Sequence, residues 1–409
     1  AQRRRRERTA RLDGVLLHPV FGPLAFLGLM TVLFTAVFFV SEPLKGLLDD
    51  GKLWLAARLD RALGAGLLSS FLIDGMLFGA GTVLTFLPQI VLLTIVLELL
   101  EATGYLARGA FLIDRLLRIV GLGGRAFVPL LTGHACAVPA IAATRVIRDP
   151  RERLTTILVI PLMTCAARLP TYSLLIATFF ASAGALGQAL IFIVLYAAGI
   201  VSGFIAAAVL RRGVTRGRGL PLVLEMPAYR VPEARRVARV ALRAARRFVS
   251  DVGTVILVAS VILWMLLNIP LPVALQPRVS AVTQQNDAAA RMHRSVAAGI
   301  GRALEPVTRP LGFDWRINIG LIGSFGAREL MVSTLGVTFG IEDTDKSTAP
   351  LEAQIRAARD RDGRPAYGTR TALALLAFFV IACQCMSTVA AVRRETRSLR
   401  WPALLLVTT

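Results

Sequence analysis

Two short stretches of this chain place a thiol beside a helix breaker. In Gly133-His134-Ala135-Cys136-Ala137-Val138-Pro139, the proline frees a backbone carbonyl and the glycine permits close backbone approach. Met163-Thr164-Cys165-Ala166-Ala167-Arg168-Leu169-Pro170 repeats the arrangement, now with a thioether at Met163 and a cation at Arg168. A third thiol stands in Gln384-Cys385-Met386-Ser387-Thr388, directly after Cys383. A thiol with freed carbonyls suits a soft or borderline metal cation. One such cysteine alone is better explained as a small apolar packer. Three, each beside soft or oxygen donors in an apolar segment, point to a transition-metal path. His134, two residues from Cys136, is a further candidate ligand, whereas His18 reads better as a cap or an interfacial residue.

Charged groups inside apolar runs add to this set. Glu98 and Glu101 stand at i and i+3, on one helical face. They could attract or relay a cation, or pair with Arg108 or Arg168. Arg328-Glu329 lies at the centre of the apolar stretch 317–340. An ionisable residue at membrane depth is expensive, and its default reading is functional. Arg168 has the same standing, with snorkelling or a carboxylate partner as its structural alternatives.

The elements that must hold these groups are membrane helices. Of 409 residues, 55% are hydrophobic and only 18% charged; the mean hydropathy is +0.64. Residues 20–40 hold 21 positions without a charge, and runs of that length span a bilayer. A soluble enzyme, a nucleic-acid-binding domain and a disordered chain are excluded. The formal net charge of +21 lies almost entirely in Arg of short loops, which marks topology and not nucleic acid. The four cysteines sit in or beside apolar runs, so no secreted disulfide framework is expected. The start carries neither an initiator Met nor a cleavable signal, and both ends look cut, as in a fragment of a longer chain.

Loop charge then assigns sides. Arg3–Arg6 place residues 1–19, a basic linker, in the cytoplasm before a span at 20–41. The mixed stretch 42–75 suits the outside, as an interfacial helix, and a second span covers 76–102. The basic loop after 145 makes 126–144 a re-entrant hairpin broken by Gly133 and Pro139, tolerated at depth only where it lines a cavity or packs on protein. Ordinary spans follow at 154–181 and 185–210. Segment 211–250 holds eleven Arg against Glu225 and Glu233; its amphipathic stretch 233–249 is expected on the inner leaflet. Span 251–270, an external loop 271–315, a second hairpin 317–340, an external loop 341–370 and span 371–392 complete the chain. The expected fold is an all-α polytopic membrane protein. It has about seven to eight transmembrane helices and two broken hairpins in pseudo-inverted halves, 20–210 and 251–409. Inverted-repeat transporters are built this way.

Taken together, these segments resemble the membrane domain of the bacterial ferrous iron transport protein B (FeoB-type) family. The resemblance runs from Leu16-Leu17-His18-Pro19 to Arg393-Arg394-Glu395-Thr396. It is carried by Leu97-Glu98-Leu99-Leu100-Glu101, Gly104-Tyr105-Leu106-Ala107-Arg108, Phe127-Val128-Pro129-Leu130-Leu131, the two Cys-Pro motifs, Ala143-Thr144-Arg145, Gly312-Phe313-Asp314-Trp315-Arg316, and Arg328-Glu329 with Ser333-Thr334-Leu335-Gly336. His134-Ala135 departs from the aromatic residue and Gly of many members, and the last helix is truncated. The resemblance implies Fe²⁺ import across the bacterial inner membrane. It implies Cys136 and Cys165 as gate cysteines, with Glu98, Glu101 and Glu329 lining or gating the path. Met163, His134 and Cys385 join as candidate metal ligands, and Gly133, Pro139, Arg168, Pro170 and Arg328 as gating or structural residues. The chain shows no GxxxxGK[ST] loop, so no enzyme and no cofactor is expected in it. GTP and Mg²⁺ belong to a cytoplasmic GTPase domain, attached or separately encoded. A small cytoplasmic accessory protein, the lipid membrane and a homo-oligomer are the further partners, and nucleic acid is not one. Two other readings stand beside this one. One is a nucleoside or other solute transporter of related gate fold, and the other a non-transporting membrane receptor or assembly platform.

Overall fold

A computed structural model describes residues 13–14, 16–18, 21–64, 66–215, 229–230, 232–272, 292, 294–326, 328, 330–339, 341, 348–359, 363, 365–383 and 385–409. Among these no strand occurs, only two isolated bridges. Six helices are long and apolar enough to cross a membrane, or seven if one sharply bent pair counts as a span. The all-α polytopic expectation therefore holds.

Helix α1 (Phe21–Leu63) has 43 residues, about 64 Å at 1.5 Å per residue. That is twice the ~30 Å hydrocarbon core. The expectation of a span ending near 41 and a separate segment at 42–75 is corrected here, because the helix runs on through Pro43. Its first part exposes Leu24, Leu27 and Phe39, as a lipid-facing helix does. Its second part carries Glu42, Lys45, Asp49 and Lys52 at helical spacing, on one face.

Helix α2 (Phe78–Thr103) follows a π-helical turn at Phe71–Leu77. It ends at Gly104, whose φ of 85° is the left-handed cap that glycine takes without strain. Helix α3 (Tyr105–Ile119) is amphipathic, burying Leu106, Ala110 and Leu117. Arg108, 1% exposed, pairs with Asp13 at 2.6 and 3.1 Å and donates to the Gly104 carbonyl at 2.9 Å. Its guanidinium lies 3.9 Å from the Tyr229 ring centroid. The expected Glu98–Arg108 or Glu101–Arg108 pair does not form, because Asp13 takes the guanidinium.

The next elements are broken. Helix α4 (Phe127–Ala135) and helix α5 (Ala137–Ala143) meet at Cys136, an extended residue at φ −155°. Helix α6 (Pro150–Val159) starts on an Asp149 cap with Pro150 behind it. It stops at a 3₁₀ turn, Ile160–Leu162, and resumes only as α7 (Leu169–Phe179). The second of the expected ordinary spans survives as α8 (Gly184–Arg212). The first, at 154–181, is present as Pro150–Phe179, interrupted over its middle third.

Helix α9 (Ala234–Arg247) continues through a π-helical turn at Phe248–Gly253 into α10 (Thr254–Asn268). It packs along α2 through buried Val237 and Ala241, and Arg236 holds Glu98 at 2.9 Å. The basic amphipathic helix is thus docked on protein through this face. The expected loop 271–315 contains α11 (Val296–Thr308), capped by Ser295.

The second half repeats the order of broken elements. Helices α12 (Trp315–Gly326) and α13 (Leu330–Thr338) form the second hairpin. After α14 (Ala349–Ala357), α15 (Thr369–Ile381) ends at the extended Ala382, and α16 (Met386–Thr396) starts from the extended Cys385. Helix α17 (Arg400–Thr408) follows. Each half therefore holds a two-part hairpin followed by a two-part span.

One ionic clamp joins the halves. The side chain of Glu395, at the end of α16, is 4% exposed. It accepts from Arg145 at 2.5 and 3.1 Å and from Arg153 at 2.6 Å. Glu395→Gln should cost about 1–3 kcal/mol, since a buried charge-assisted acceptor is lost. A thermal melt in detergent checks this. The parent should lose stability between low and high salt, and the variant should not.

Candidate functional site

The four breaks converge on one cavity of about 750 Å³. Ala135–Val138 come from the first hairpin, Cys165–Ala167 from the first broken span, Gly326, Arg328 and Leu330 from the second hairpin, and Cys385 from the second broken span. Each break exposes polar backbone that hydrocarbon could not satisfy, so it survives only against protein or a cavity. Cys165 is buried and Cys136 and Cys385 are half-buried, all as free thiols. Ser387 also lines the cavity, and its buried hydroxyl has no hydrogen-bond partner in the described structure. The far wall is the charged face of α1, with Glu42, Lys45, Asp49 and Lys52. There Lys52 and Thr85 both donate to Asp49 Oδ1, at 2.7 and 3.0 Å.

Arg168 closes the breaks. It is fully buried and donates to the carbonyls of Pro161 (3.1 Å), Leu162 (3.2 Å), Val380 (2.9 Å) and Ala382 (3.3 Å). Two of these belong to the first half and two to the second. Neither snorkelling nor a carboxylate partner describes it. Carbonyl dipoles left over from two broken helices solvate its charge. Arg328, 4% exposed, reaches from the second half into the first. It lies 3.2 Å from Cys165 Sγ and 3.4 Å from the Pro161 carbonyl.

Other candidate ligands point elsewhere. Met163 is buried with its terminal methyl against Gly203 of α8, away from the cavity. His134 Nδ1 lies 3.1 Å from the Thr164 carbonyl and 3.1 Å from the Tyr196 hydroxyl, and its ring stacks on Tyr196. It latches α4 to α8. Glu98 is paired with Arg236, and neither it nor Glu101 lines the cavity. Glu329 lies outside the described residues. Gly133 sits inside α4, and Pro139 occupies the first turn of α5, where proline is tolerated. The break itself falls on Cys136. Pro170 stands in the first turn of α7. Among the described residues, no three His, Cys, Asp or Glu side chains gather closely enough to cage an ion. Sequence reasoning missed Ser387 and the α1 face as cavity wall. The 42, 45, 49, 52 spacing was a readable helical signal for the latter.

The chain matches the family model "Gate: Nucleoside recognition" at residues 83–179 and 249–399. It matches "Ferrous iron transport protein B C terminus" at 192–243. It is 39% identical over 97% of its length to an Fe(2+) transporter FeoB of Leptospira interrogans, covering 57% of that protein. It is 34% identical over 99% of its length to one of Campylobacter jejuni, covering 63% of it. A third relative, an Fe(2+) transport protein A/Fe(2+) transporter FeoB fusion protein of Porphyromonas gingivalis, is 33% identical over 96% of the chain and covered to 49%. The chain thus spans roughly half to just under two thirds of the curated relatives it matches. No solved structure matches it. With the gate model covering both broken hairpins and both broken spans, and the C-terminal model covering the helix between them, the chain belongs to the gate-domain family as a FeoB-type transmembrane domain.

Proposed function

We propose that this chain is the permease part of a ferrous iron transporter, moving Fe²⁺ across a bacterial inner membrane past Cys136, Cys165 and Cys385. The convergence of four helix breaks on one thiol-lined cavity carries this reading. Thiolate, hydroxyl and freed carbonyl groups replace water around Fe²⁺ in turn. A path without a preassembled cage fits conduction, which needs binding weak enough to release. The relatives' printed names support the same cargo.

The basic N-terminal segment lies in the cytoplasm, and GTP with Mg²⁺ acts in a cytoplasmic GTPase domain, in cis or in trans. The fusion in Porphyromonas gingivalis supports a small accessory protein as a further partner, and a homo-oligomer is compatible with the lipid-facing helices. A nucleoside would need paired hydrogen-bonding side chains for its base. Among the described residues the cavity wall offers one amide, Gln89 of α2, remote in sequence from the thiols. A mere assembly platform would need no thiol-lined cavity.

The test is anaerobic Fe²⁺ uptake into proteoliposomes, with and without the GTPase part restored. Cys136→Ser/Cys165→Ser should lower uptake by about tenfold or more, as loss of metal ligands does. Met163→Leu should keep uptake within about twofold, because that thioether packs on α8. Unchanged uptake in the double Ser variant would reduce the thiols to packing and overturn the reading.

A further inference from the structure

The two buried guanidiniums at the breaks differ in how they are held. Arg168 has four carbonyl acceptors from two breaks. Arg328 has one sulfur and one long carbonyl contact, and its buried Nε finds no acceptor among the described residues. Only Arg328 lines the cavity. It stands in a turn, outside both α12 and α13. Both guanidiniums share the Pro161 carbonyl. If Arg328 left, Arg168 would still satisfy that oxygen, so departure strands no acceptor there.

We propose that Arg328 is an electrostatic latch on the gate: its guanidinium holds the Cys165 sulfur and bars cations from it until the side chain is displaced. This rests on the reading of Cys165 as an iron ligand. A divalent ion at the same sulfur would stand within a few ångströms of a positive charge, and both Arg328 and Cys165 are buried, where repulsion is less screened than at the surface. Occupancy by Arg328 and occupancy by Fe²⁺ therefore exclude each other. The state seen is the closed one, and opening is a movement of the second hairpin relative to the first broken span. Under-satisfaction of Nε and repulsion from Arg168 keep the latch easy to release. The well-held Arg168 keeps the two halves joined while it does so.

The test uses the full chain with Cys165 as its sole thiol (Cys136→Ser/Cys383→Ser/Cys385→Ser). It measures the rates at which a cationic and an anionic methanethiosulfonate of similar size label Cys165. Taking their ratio cancels changes in thiol ionisation and in steric access, which act on both reagents alike. Arg328→Met should raise the cationic-to-anionic ratio by about tenfold or more, and Arg328→Lys should leave it within about twofold of the parent. A merely structural arginine would move neither ratio. An unchanged ratio in Arg328→Met, or in Arg328→Gln should the Met variant fail to fold, overturns the proposal.

Co²⁺ titration, read by thiolate-to-metal absorption in the otherwise native chain, separates the two ideas. Tighter Co²⁺ binding in Arg328→Met, lost on adding Cys165→Ser, supports both. If the labelling ratio rises but no chain shows a Cys165-dependent band, the latch stands as a charge barrier and Cys165 fails as an iron ligand.

Discussion

Arg168→Met should strongly destabilise the fold. Met matches the buried stem of Arg in length, so the change removes donors and charge and leaves little void. Four carbonyls lose a donor at once: Pro161, Leu162, Val380 and Ala382. Pro161 keeps Arg328, and the others have no water to turn to at this depth. Replacing a whole buried ionic group by apolar residues is often neutral, but removing one side of it costs roughly 3–5 kcal/mol. That is a large share of a typical stability of about 5–15 kcal/mol. The expected result is a marked fall in melting temperature and in monodisperse protein after detergent extraction. Arg168→Lys should recover part of the loss, since an ammonium keeps the charge but not the planar fork that spans two breaks. Arg328→Met, which strands no carbonyl, should stay folded. Equal melting of Arg168→Met and the parent would refute this account.

The contrast shows which features were legible in the sequence. The hairpin at 126–144 could be read because charge parity forbade a crossing, and Cys136 and Cys165 because each sits near a proline. The break after Ile381 could not be found that way. Residues 380–386 contain neither Gly nor Pro, and the break is stabilised by Arg168, more than two hundred residues earlier. Side-chain direction was equally illegible. Met163 and His134 stand within three residues of the gate cysteines, yet they serve α8, because Gly203 makes room for one and Tyr196 stacks on the other. Arg108, Glu98 and Arg168 were each available to the others by type. The fold gave them Asp13, Arg236 and backbone carbonyls instead. Residue chemistry named the groups, and long-range packing chose their partners.

Gly199→Leu should destabilise the protein although it improves the helix that carries it. Gly199, Gly203 and Ala207 stand four residues apart on the buried side of α8. Such small-residue stripes let membrane helices approach closely. A Cβ on Gly199 would overlap the Thr164 hydroxyl and lie 3.4 Å from the Thr164 backbone nitrogen. Thr164 is a buried residue of the broken segment beside Cys165, so its hydroxyl and Cβ (3.2 Å away) must shift to admit the new side chain, and the rest of a leucine must fit beyond them. Helix propensity favours Leu over Gly by about 1 kcal/mol, whereas overpacking costs roughly 1–3 kcal/mol when flexible side chains can adjust. Thr164 is fully buried and has little room to turn away, so packing decides the sign. Pushing α8 outward also pulls Tyr196 from His134 and Phe192 from the cavity wall. The variant should therefore melt below the parent and label faster at Cys165 with a neutral maleimide. Gly28→Leu on α1, where a Cβ meets nothing within 4 Å, gains the same propensity without the overlap and should melt at or above the parent. If Gly199→Leu behaves like Gly28→Leu, α8 does not brace the gate, and the rigidity of the Cys165 segment must come from Arg168 alone.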